Sequence, residues 1–326
     1  FIGKALLTKK PDIESILGAT ASKTFLGLKV CHDFDMINAS SVFIGAKGAT
    51  PYGNMGPFCQ NAPDAIRKAI GYMANNIDRY NFDIGGPIFP KGSKPAGDYG
   101  NLPFSETNFS ENRSVIRATV AKALKAGAVP IVVGGDDSVP IPMLDALADT
   151  GKYYTILQID AHIDWRHSHM DEKLGLSSNM RRASEMAHIK QIIQIGARGI
   201  GSAHLDDVQD AQEWGAEIIP ADDVHLYGIT QIIEHITPGA NIIICFDVDG
   251  LDPSIVPGVL ARSPGGLTYS QAIGLIKGAA SKGTIAAANF TEFLPESDVD
   301  GIGAMTVSRV IAATMGVIAR QNNKSK

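Results

Sequence analysis

The chain has 326 residues, a formal net charge of −5 at pH 7 and an isoelectric point near 5.9. This acidic balance argues against sequence-independent nucleic-acid binding, which relies on a basic surface that displaces counterions from phosphates. With 44% hydrophobic residues the chain can bury a sizeable core, and its longest apolar run, around Asn241–Phe246, is far shorter than the roughly 20 residues that span a bilayer. We therefore expect no nucleic-acid or membrane partner, and a small cationic partner instead.

Cysteine usage bears on the compartment. Cys31, Cys59 and Cys245 lie far apart and form no CxxC pair, which favours neither a disulfide framework nor a thiolate zinc site. The expected compartment is a reducing cytoplasm. The sequence begins at Phe1 rather than at methionine, so it is compatible with a preceding segment or a cleaved targeting peptide.

The predicted elements change in character near residue 110. Residues 1–110 are rich in Gly, Pro and Asn and are predicted to be rich in loops. From there helical patterns alternate with short apolar runs: helices at Asn112–Ala126 and Val139–Ala148, and strands at Val129–Val133, Tyr153–Asp160, Gln191–Gly196, Ala216–Pro220, Asn241–Asp249 and Thr284–Glu292. This alternation predicts a single α/β domain over residues 1–326, a three-layer α/β/α sandwich with a mostly parallel central sheet.

Acidic residues follow three of these predicted strands. The segments are Gly-Gly-Asp-Asp-Ser at 134–138, Asp-Ala-His-Ile-Asp at 160–164 and Asp-Val-Asp-Gly-Leu-Asp-Pro at 247–253. Because ligands of open parallel sheets bind outside the carboxyl ends of the strands, we expect the three segments to converge on one crevice. Alternation along an extended chain would put Asp160, His162 and Asp164 on one side, and would do the same for Asp247 and Asp249.

This clustering of carboxylates predicts a binuclear metal site. Carboxylates at close range repel one another and raise one another's pKa values unless cations neutralise them, and a pair of divalent ions would do so. Oxygen and imidazole ligands without thiolates favour Mn²⁺, Ni²⁺ or another first-row ion over structural zinc. Two ions about 3.5 to 4 Å apart lower the pKa of a water molecule from about 15.7 towards 7, so hydrolysis is the predicted chemistry.

Many of these residues also have a simpler structural explanation. An acidic residue or serine at a strand end often caps the next helix, and for Asp136, Ser138 and Asp252 we favour either this role or a role in supporting the metal ligands. Cys245 is predicted to lie in the core. Surface or core positions are expected for several histidines, namely His167, His169, His188, His204, His225 and His235. For the clusters at 160–164 and 247–249 a purely structural origin is disfavoured, because a buried, unpaired carboxylate cluster is too costly.

With these motifs the chain resembles the ureohydrolase family of arginases, agmatinases and guanidino-acid amidinohydrolases, as a divergent agmatinase-like member. The resemblance covers nearly the whole chain. Residues Asn54–Arg67 are similar to the family's early glycine-rich loop and helix, and Glu292 is similar to the acidic residue placed against the substrate guanidinium. The resemblance implies an arginase-like fold, two divalent ions per chain (Mn²⁺ or Ni²⁺), hydrolysis of a guanidino compound to urea and an amine, and a homo-trimer or hexamer.

The resemblance also implies a ligand set. By position, Asp160 and Asp247 bridge both ions, Asp164 completes one site, and His162 with Asp249 completes the other. The family's usual motif is Gly-Gly-Asp-His-Ser, with its histidine on the first metal, whereas this chain has Asp137 there. We predict that Asp137 is a carboxylate ligand, which changes the charge and affinity of the site.

A second departure concerns proton transfer. The family's His-Gly segment, which supplies a proton-shuttling histidine, is absent, and the matching region reads Leu-Ser-Ser-Asn-Met-Arg-Arg at 176–182. Ser177 and Asn179 of this region are predicted to contact substrate. Protonation of the leaving amine then falls to Asp164, His167, His169 or solvent, and Asp164, His167 and Glu292 are our predicted catalytic residues.

Several functions remain open at this point. The substrate could be an ordinary guanidino acid or agmatine-like compound, guanidine itself, or a substituted biguanide such as metformin. The two departures are also compatible with a metal-poor, non-catalytic subunit that supports an active paralogue in a hetero-oligomer. A zinc deacylase ranks lower, because such relatives hold one zinc ion and lack the full set of aspartates.

Overall fold

A computed structural model describes residues 22–34, 38–201 and 203–321. Within these ranges nine strands form one sheet in the order β1-β3-β2-β4-β9-β8-β5-β6-β7. Every neighbouring pair is parallel. The strands are β1 (Lys29–Val30), β2 (Ser41–Ala46), β3 (Gly97–Asn101), β4 (Val129–Gly134), β5 (Tyr154–Ile159), β6 (Ile189–Ala197), β7 (Glu217–Pro220), β8 (Asn241–Asp247) and β9 (Thr284–Thr291).

Helices cover both faces of this sheet. They are α1 (Ala62–Ile70), α2 (Phe109–Lys125), α3 (Pro140–Leu147), α4 (Asn179–Ser184), α5 (Leu205–Trp214), α6 (Ala221–Tyr227), α7 (Ile229–Glu234), α8 (Tyr269–Lys282) and α9 (Ile302–Gln321). Successive strand residues point to opposite faces. In β4, Ile131 and Val133 join the apolar cluster that includes α1, α8 and α9, and Val132 joins the cluster that includes α2, α3 and α4. The predicted α/β/α sandwich is confirmed.

The prediction for residues 1–110 was incomplete. The strands from β4 onward lie where apolar runs predicted them, but β1, β2 and β3 were not predicted and extend the sheet by three strands. β2 is fully buried between β3 and β4. β3 reads Gly-Asp-Tyr-Gly-Asn, a composition that favours turns, so its place in the sheet depends on tertiary contacts.

A buried ion pair supplies such a contact for β3. Arg67 of α1 donates from Nε and Nη2 to the Asp98 carboxylate over 2.9 and 3.0 Å. The guanidinium also lies 4.4 Å from the centre of the Phe43 ring. Asp98 accepts further hydrogen bonds from the backbone N–H groups of Phe25 and Gly100, each 2.8 Å long. The pair therefore joins α1, β2, β3 and the turn at Phe25–Gly27.

Replacing Asp98 with alanine is expected to lower the free energy of unfolding by about 3 to 5 kcal/mol, because the Arg67 guanidinium would stay buried without its counter-ion. The two side chains are 1% and 6% exposed. Urea denaturation of the purified variant measures the loss. As a control, Asp145→Ala removes a partner of Arg117, whose side chain is 39% exposed, and should cost less than about 1 kcal/mol. Equal losses would contradict the prediction.

Helix α9 corrects one part of the sequence analysis. By length and composition alone it could cross a membrane, yet 78% of its most apolar 18-residue window is buried inside the protein. Its side chains, including Val307 and Ile311, belong to the apolar cluster beneath α1 and α8. In the sequence, Ser308, Arg309 and Thr314 interrupt this apolar segment. The hydroxyls of Ser308 and Thr314 donate to the carbonyls of residues three and four positions earlier.

Candidate functional site

Four adjacent strands position the candidate site. In the sheet, β4, β9, β8 and β5 are consecutive neighbours. Asp137 lies shortly after β4, Glu292 follows β9, Asp247 ends β8 and Asp160 follows β5. Because all four strands are parallel, these residues lie at the same edge of the sheet. The predicted convergence of the acidic segments is confirmed, and β9 adds Glu292 between them.

The carboxylates and one imidazole form two overlapping groups. One group contains Asp160, His162 and Asp249, and the other contains Asp137, Asp160 and Asp247. In each group one ligand atom per residue lies within 4.8 Å of the others. His162 Nδ1 is 3.4 Å from Asp160 Oδ1 and 3.2 Å from Asp249 Oδ2. Asp160 is common to both groups.

The remaining predicted ligand, Asp164, lies beside these groups. Its Oδ2 accepts hydrogen bonds from Gln158 Nε2 at 3.3 Å and from Asn179 Nδ2 at 3.1 Å. Its backbone φ is +46°, and that of Glu292 is +65°. Such left-handed conformations are costly for residues other than glycine and persist where the surroundings fix them, often at functional sites.

Asp137 is held at four of its atoms. Its Oδ1 accepts a hydrogen bond from Thr291 Oγ1 and its Oδ2 accepts one from Asn179 Nδ2. Its backbone N–H donates to Glu292 Oε1 over 2.7 Å, and its carbonyl accepts from Asn179 Nδ2 over 3.1 Å. The residue that departs from the family motif therefore has a fixed orientation beside Asp160 and Asp247.

The buried carboxylates of the site would be stabilised by bound cations. Burial, and then the neighbouring carboxylates, raise the pKa values of Asp137, Asp160 and Asp247 well above their usual range. Burial lowers the pKa of His162, but hydrogen bonds to Asp160 and Asp249 outweigh that effect and raise it to about 12. The carboxylates are buried and lie in two overlapping groups with a single imidazole. This donor set fits two divalent ions of the hard or borderline kind.

We expect the metal-free protein to lose stability as pH rises from about 5.5 to 8.5, by up to about 1.4 kcal/mol per pH unit for each affected group. Groups whose pKa is raised in the folded state stabilise it below their unfolded pKa, and this stability is lost as pH rises through the folded pKa. Asp137, Asp160, Asp247 and His162 all shift in this direction. Thermal melts with EDTA across this range measure the effect.

Saturating Mn²⁺ provides the control for this prediction, because metal binding replaces the protons on its ligands and so becomes more favourable at higher pH. The stabilisation by Mn²⁺ should therefore grow from pH 5.5 to 8.5. If the melting temperature of the metal-free protein stays constant or rises over this pH range, burial and repulsion among the carboxylates do not raise their pKa values as predicted.

The two predicted substrate residues lie in different surroundings. Ser177 Oγ is 3.0 Å from the hydroxyl of Tyr52, whose ring packs 4.9 Å from that of His169. Asn179 is completely buried and its side-chain nitrogen contacts carboxylates. His167 is exposed, and within the described ranges it makes no hydrogen bond or ion pair. The roles of these residues in substrate binding and proton transfer stay predictions.

The predicted helix-capping role of Asp136, Ser138 and Asp252 is wrong, because α3 follows Val139, which makes no side-chain cap bond, and the helix after Asp252, α8, is capped by Thr268. Their side chains stabilise turns instead. Asp136 Oδ1 accepts hydrogen bonds from the backbone N–H and hydroxyl of Ser138. Asp252 accepts from the N–H groups of Ser254, Gly265 and Gly266 over 3.0, 2.9 and 3.0 Å. These contacts fix the turns after β4 and β8, which carry the candidate ligands.

Sequence analysis missed a row of buried polar residues beneath the site. The parallel register aligns Gln194, Gln158, Cys245 and Asn289 across β6, β5, β8 and β9. Gln158 Nε2 donates to Asp160 Oδ2 over 2.7 Å, and Gln194 Nε2 donates to Gln158 Oε1 over 2.5 Å. A glutamine within an otherwise apolar strand was the available signal, because buried amides need partners.

Arg198, also missed, fixes the turn after β8. Its guanidinium donates to the carbonyls of Asp249, Gly250 and Leu251 over 2.7, 3.3 and 3.2 Å, respectively. It also donates to the carbonyl of Ser263. Since Asp249 is a candidate ligand, Arg198 sets the backbone position from which its carboxylate extends.

Comparison with known proteins agrees with this geometry. The model of the Arginase family matches residues 41–316, a range that contains every residue of the two carboxylate groups and Glu292. The chain belongs to the Arginase family. Its membership confirms the resemblance drawn from the strand-end motifs.

Individual relatives of this Arginase-family chain are distant. It is 28% identical over 227 residues to guanidino acid hydrolase, mitochondrial, of Homo sapiens, a match that covers 68% of this chain and 64% of the human protein. It is 28% identical to agmatinase, mitochondrial, of Gallus gallus, covering 94% and 90% of the two chains. The structure of proclavaminate amidino hydrolase from Streptomyces clavuligerus superposes with a TM-score of 0.79 at 23% identity, covering 93% and 99%. This identity supports the shared fold alone.

Proposed function

We propose that this Arginase-family protein is a two-metal amidinohydrolase that cleaves a C–N bond of a guanidino compound and releases urea, or a urea derivative, and an amine. The observation that carries the proposal is the pair of ligand groups that share Asp160. Two curated relatives are named for guanidino acid and agmatine hydrolysis, which supports the same class of substrate.

The ligands are assigned from the two groups. Asp160, His162 and Asp249 would hold one ion, and Asp137, Asp160 and Asp247 the other, with Asp164 next to the second. When bound, two divalent ions lower the pKa of water and polarise the substrate. Oxygen ligands with one imidazole favour Mn²⁺ or Ni²⁺.

Glu292 would bind the substrate guanidinium. Its side chain is 6% exposed, and Oε1 is oriented by the backbone N–H of Asp137 at 2.7 Å. Burial, and then the charge of Asp136, raise the pKa of Glu292 well above its usual range. A cationic guanidinium would reverse that shift, since an opposite charge favours the ionised carboxylate. Substrate and carboxylate are thus expected to stabilise each other's charged forms.

Asp164 is our choice for moving a proton to the leaving amine. Its Oδ2 is occupied by the amide groups of Gln158 and Asn179. In the described part of the chain no hydrogen bond engages its Oδ1, so that oxygen is available for a proton. Proton transfer by a positioned carboxyl group contributes about 10²- to 10⁴-fold to rates.

Release of urea and amine across a panel of guanidino compounds tests the proposal. The panel contains guanidino acids, agmatine, arginine, guanidine and metformin, each offered to protein loaded with Mn²⁺ and with Ni²⁺. Turnover of one or more members is expected. Turnover of none by protein that holds two ions per chain would overturn the proposed activity. Failure to hold ions would favour the metal-poor supporting subunit instead.

A further inference from the structure

The amide of Asn179 contacts two carboxylates at once. Its Nδ2 lies within hydrogen-bonding distance of Asp137 Oδ2 and is 3.1 Å from Asp164 Oδ2. The same nitrogen is 3.1 Å from the carbonyls of Asp137 and Leu176. Asn179 is completely buried, so these contacts are shielded from water, in which hydrogen bonds are weaker.

The orientation of this amide is determined by charge. Asn179 Oδ1 is buried and has no hydrogen-bond partner within the described residues. Rotating the amide by half a turn would place this oxygen against the acceptor oxygens of Asp137 and Asp164 and would remove the hydrogen-bond donor of Asp137 Oδ2. The amide nitrogen, with two N–H groups among four acceptors, therefore faces the carboxylates.

A neutral donor is what such a site needs. Asp137 and Asp164 repel each other, and the charge of Asp164, after burial, is the largest contribution of a neighbouring group to the raised pKa of Asp137. A lysine or arginine at position 179 would hold them together but would also occupy the place of a metal cation. An asparagine holds both carboxylates and leaves their negative charge for the ion.

The backbone around Asn179 keeps the amide in place. Asn179 is the first residue of α4, and the next residue, Met180, is completely buried in the apolar cluster beneath α2 and α3. The backbone N–H of Arg181 donates to the carbonyl of Asp164 over 3.2 Å. The start of α4 is thus tied to the same segment that carries the Asp164 side chain.

We propose that Asn179 is a positioning residue that sets the affinity of the metal site at Asp137, rather than a group that binds substrate. The inference rests on the proposed two-metal function. It assigns Asn179 as the partner of the aspartate that replaces the family's histidine: this chain binds its second ion with a carboxylate because a buried amide orients that carboxylate.

Metal binding by Asn179→Leu tests the inference, since leucine has the same branching at Cγ but no donors. Removing the partner of a ligand typically costs about 10- to 100-fold in metal affinity. We expect such a loss for one ion per chain, while the ion at His162 and Asp249 is little changed. Chelator competition gives the two dissociation constants. Electron paramagnetic resonance gives a second readout: with two equivalents of Mn²⁺ the wild type should show a spin-coupled pair, and the variant an uncoupled ion.

Asn112→Ala is the matched control. Asn112 is also buried, at 2% exposure, and its side chain binds the backbone of Ser105 rather than a carboxylate. This variant should lose stability yet keep two coupled ions. If the wild type holds two ions and Asn179→Leu holds them with unchanged affinity, the positioning role is wrong. If the wild type holds none, the proposed two-metal function itself fails.

Discussion

Asp160→Asn is expected to remove both metal ions and to lower kcat/KM by about 10³-fold or more, equivalent to about 4 kcal/mol of transition-state stabilisation. Asp160 is the one residue common to both ligand groups, so loss of its charge weakens both sites. Elemental analysis of the purified variant and urea release with the best substrate of the panel measure the two effects.

The same substitution should act in the opposite direction on the metal-free protein. Burial and the charges of its neighbours raise the pKa of Asp160, so a neutral amide relieves repulsion that the wild type carries without metal. The metal-free variant should melt at a higher temperature than the metal-free wild type near pH 8, and Mn²⁺ should no longer stabilise it. This sign distinguishes a lost metal site from a misfolded protein.

Asp252→Asn serves as the control for Asp160→Asn. Asp252 lies in the same turn as Asp249 but binds backbone N–H groups and belongs to neither ligand group. An amide oxygen can still accept some of these bonds, so the variant should retain two ions. Loss of both ions in this control would mean that the whole turn, and not the shared ligand, determines metal binding.

Glu292→Gln is expected to lower kcat/KM by about 10²- to 10⁴-fold, the cost of losing a pair of hydrogen bonds to a charged group at about 1.5 to 3 kcal/mol each. Metal content should stay at the wild-type value, since Glu292 is in neither ligand group. The amide oxygen of glutamine can still accept from the backbone N–H of Asp137, so the site should keep its geometry. Steady-state kinetics and metal analysis are the measurements.

Glu296→Gln is the companion to this variant. Glu296 is an exposed acid four residues further along the chain that accepts a hydrogen bond from Asn61. Its neutralisation should change kcat/KM little. If Glu292→Gln loses metal as well as activity, Glu292 acts through Asp137 and the assignment of the guanidinium site is wrong.

Strands and acidic segments could be predicted from the sequence where neighbouring residues form a recognisable pattern. Each strand from β4 onward, apart from its exact ends, is an apolar run long enough to recognise, and the acidic segments after β4, β5 and β8 stand out because charged residues rarely follow buried strands in clusters. Parallel topology then placed them together without knowledge of any distance. For this reason the ligand groups could be anticipated from motifs that are up to about a hundred residues apart.

Features that depend on distant partners were not predictable in this way. β3 contains glycines and an aspartate, and its place in the sheet follows from the Arg67–Asp98 pair, which the sequence separates by 31 positions. Gln158 and Gln194 contact each other only through the register of β5 and β6. Tyr52 reaches Ser177 across 125 positions. Each of these contacts is made by the folded chain and leaves no periodic pattern in the sequence.

The strand order has a consequence for biosynthesis. β9 is nearly the last element of the chain, yet it lies between β4 and β8. Until Thr284–Thr291 leaves the ribosome, the strands already made can pair only as two separate sheets, β1-β3-β2-β4 and β8-β5-β6-β7. Asp137 then belongs to one sheet and Asp160 to the other. In the proposed two-metal site, the ligands of the second ion would therefore come together only when synthesis of the chain is almost complete.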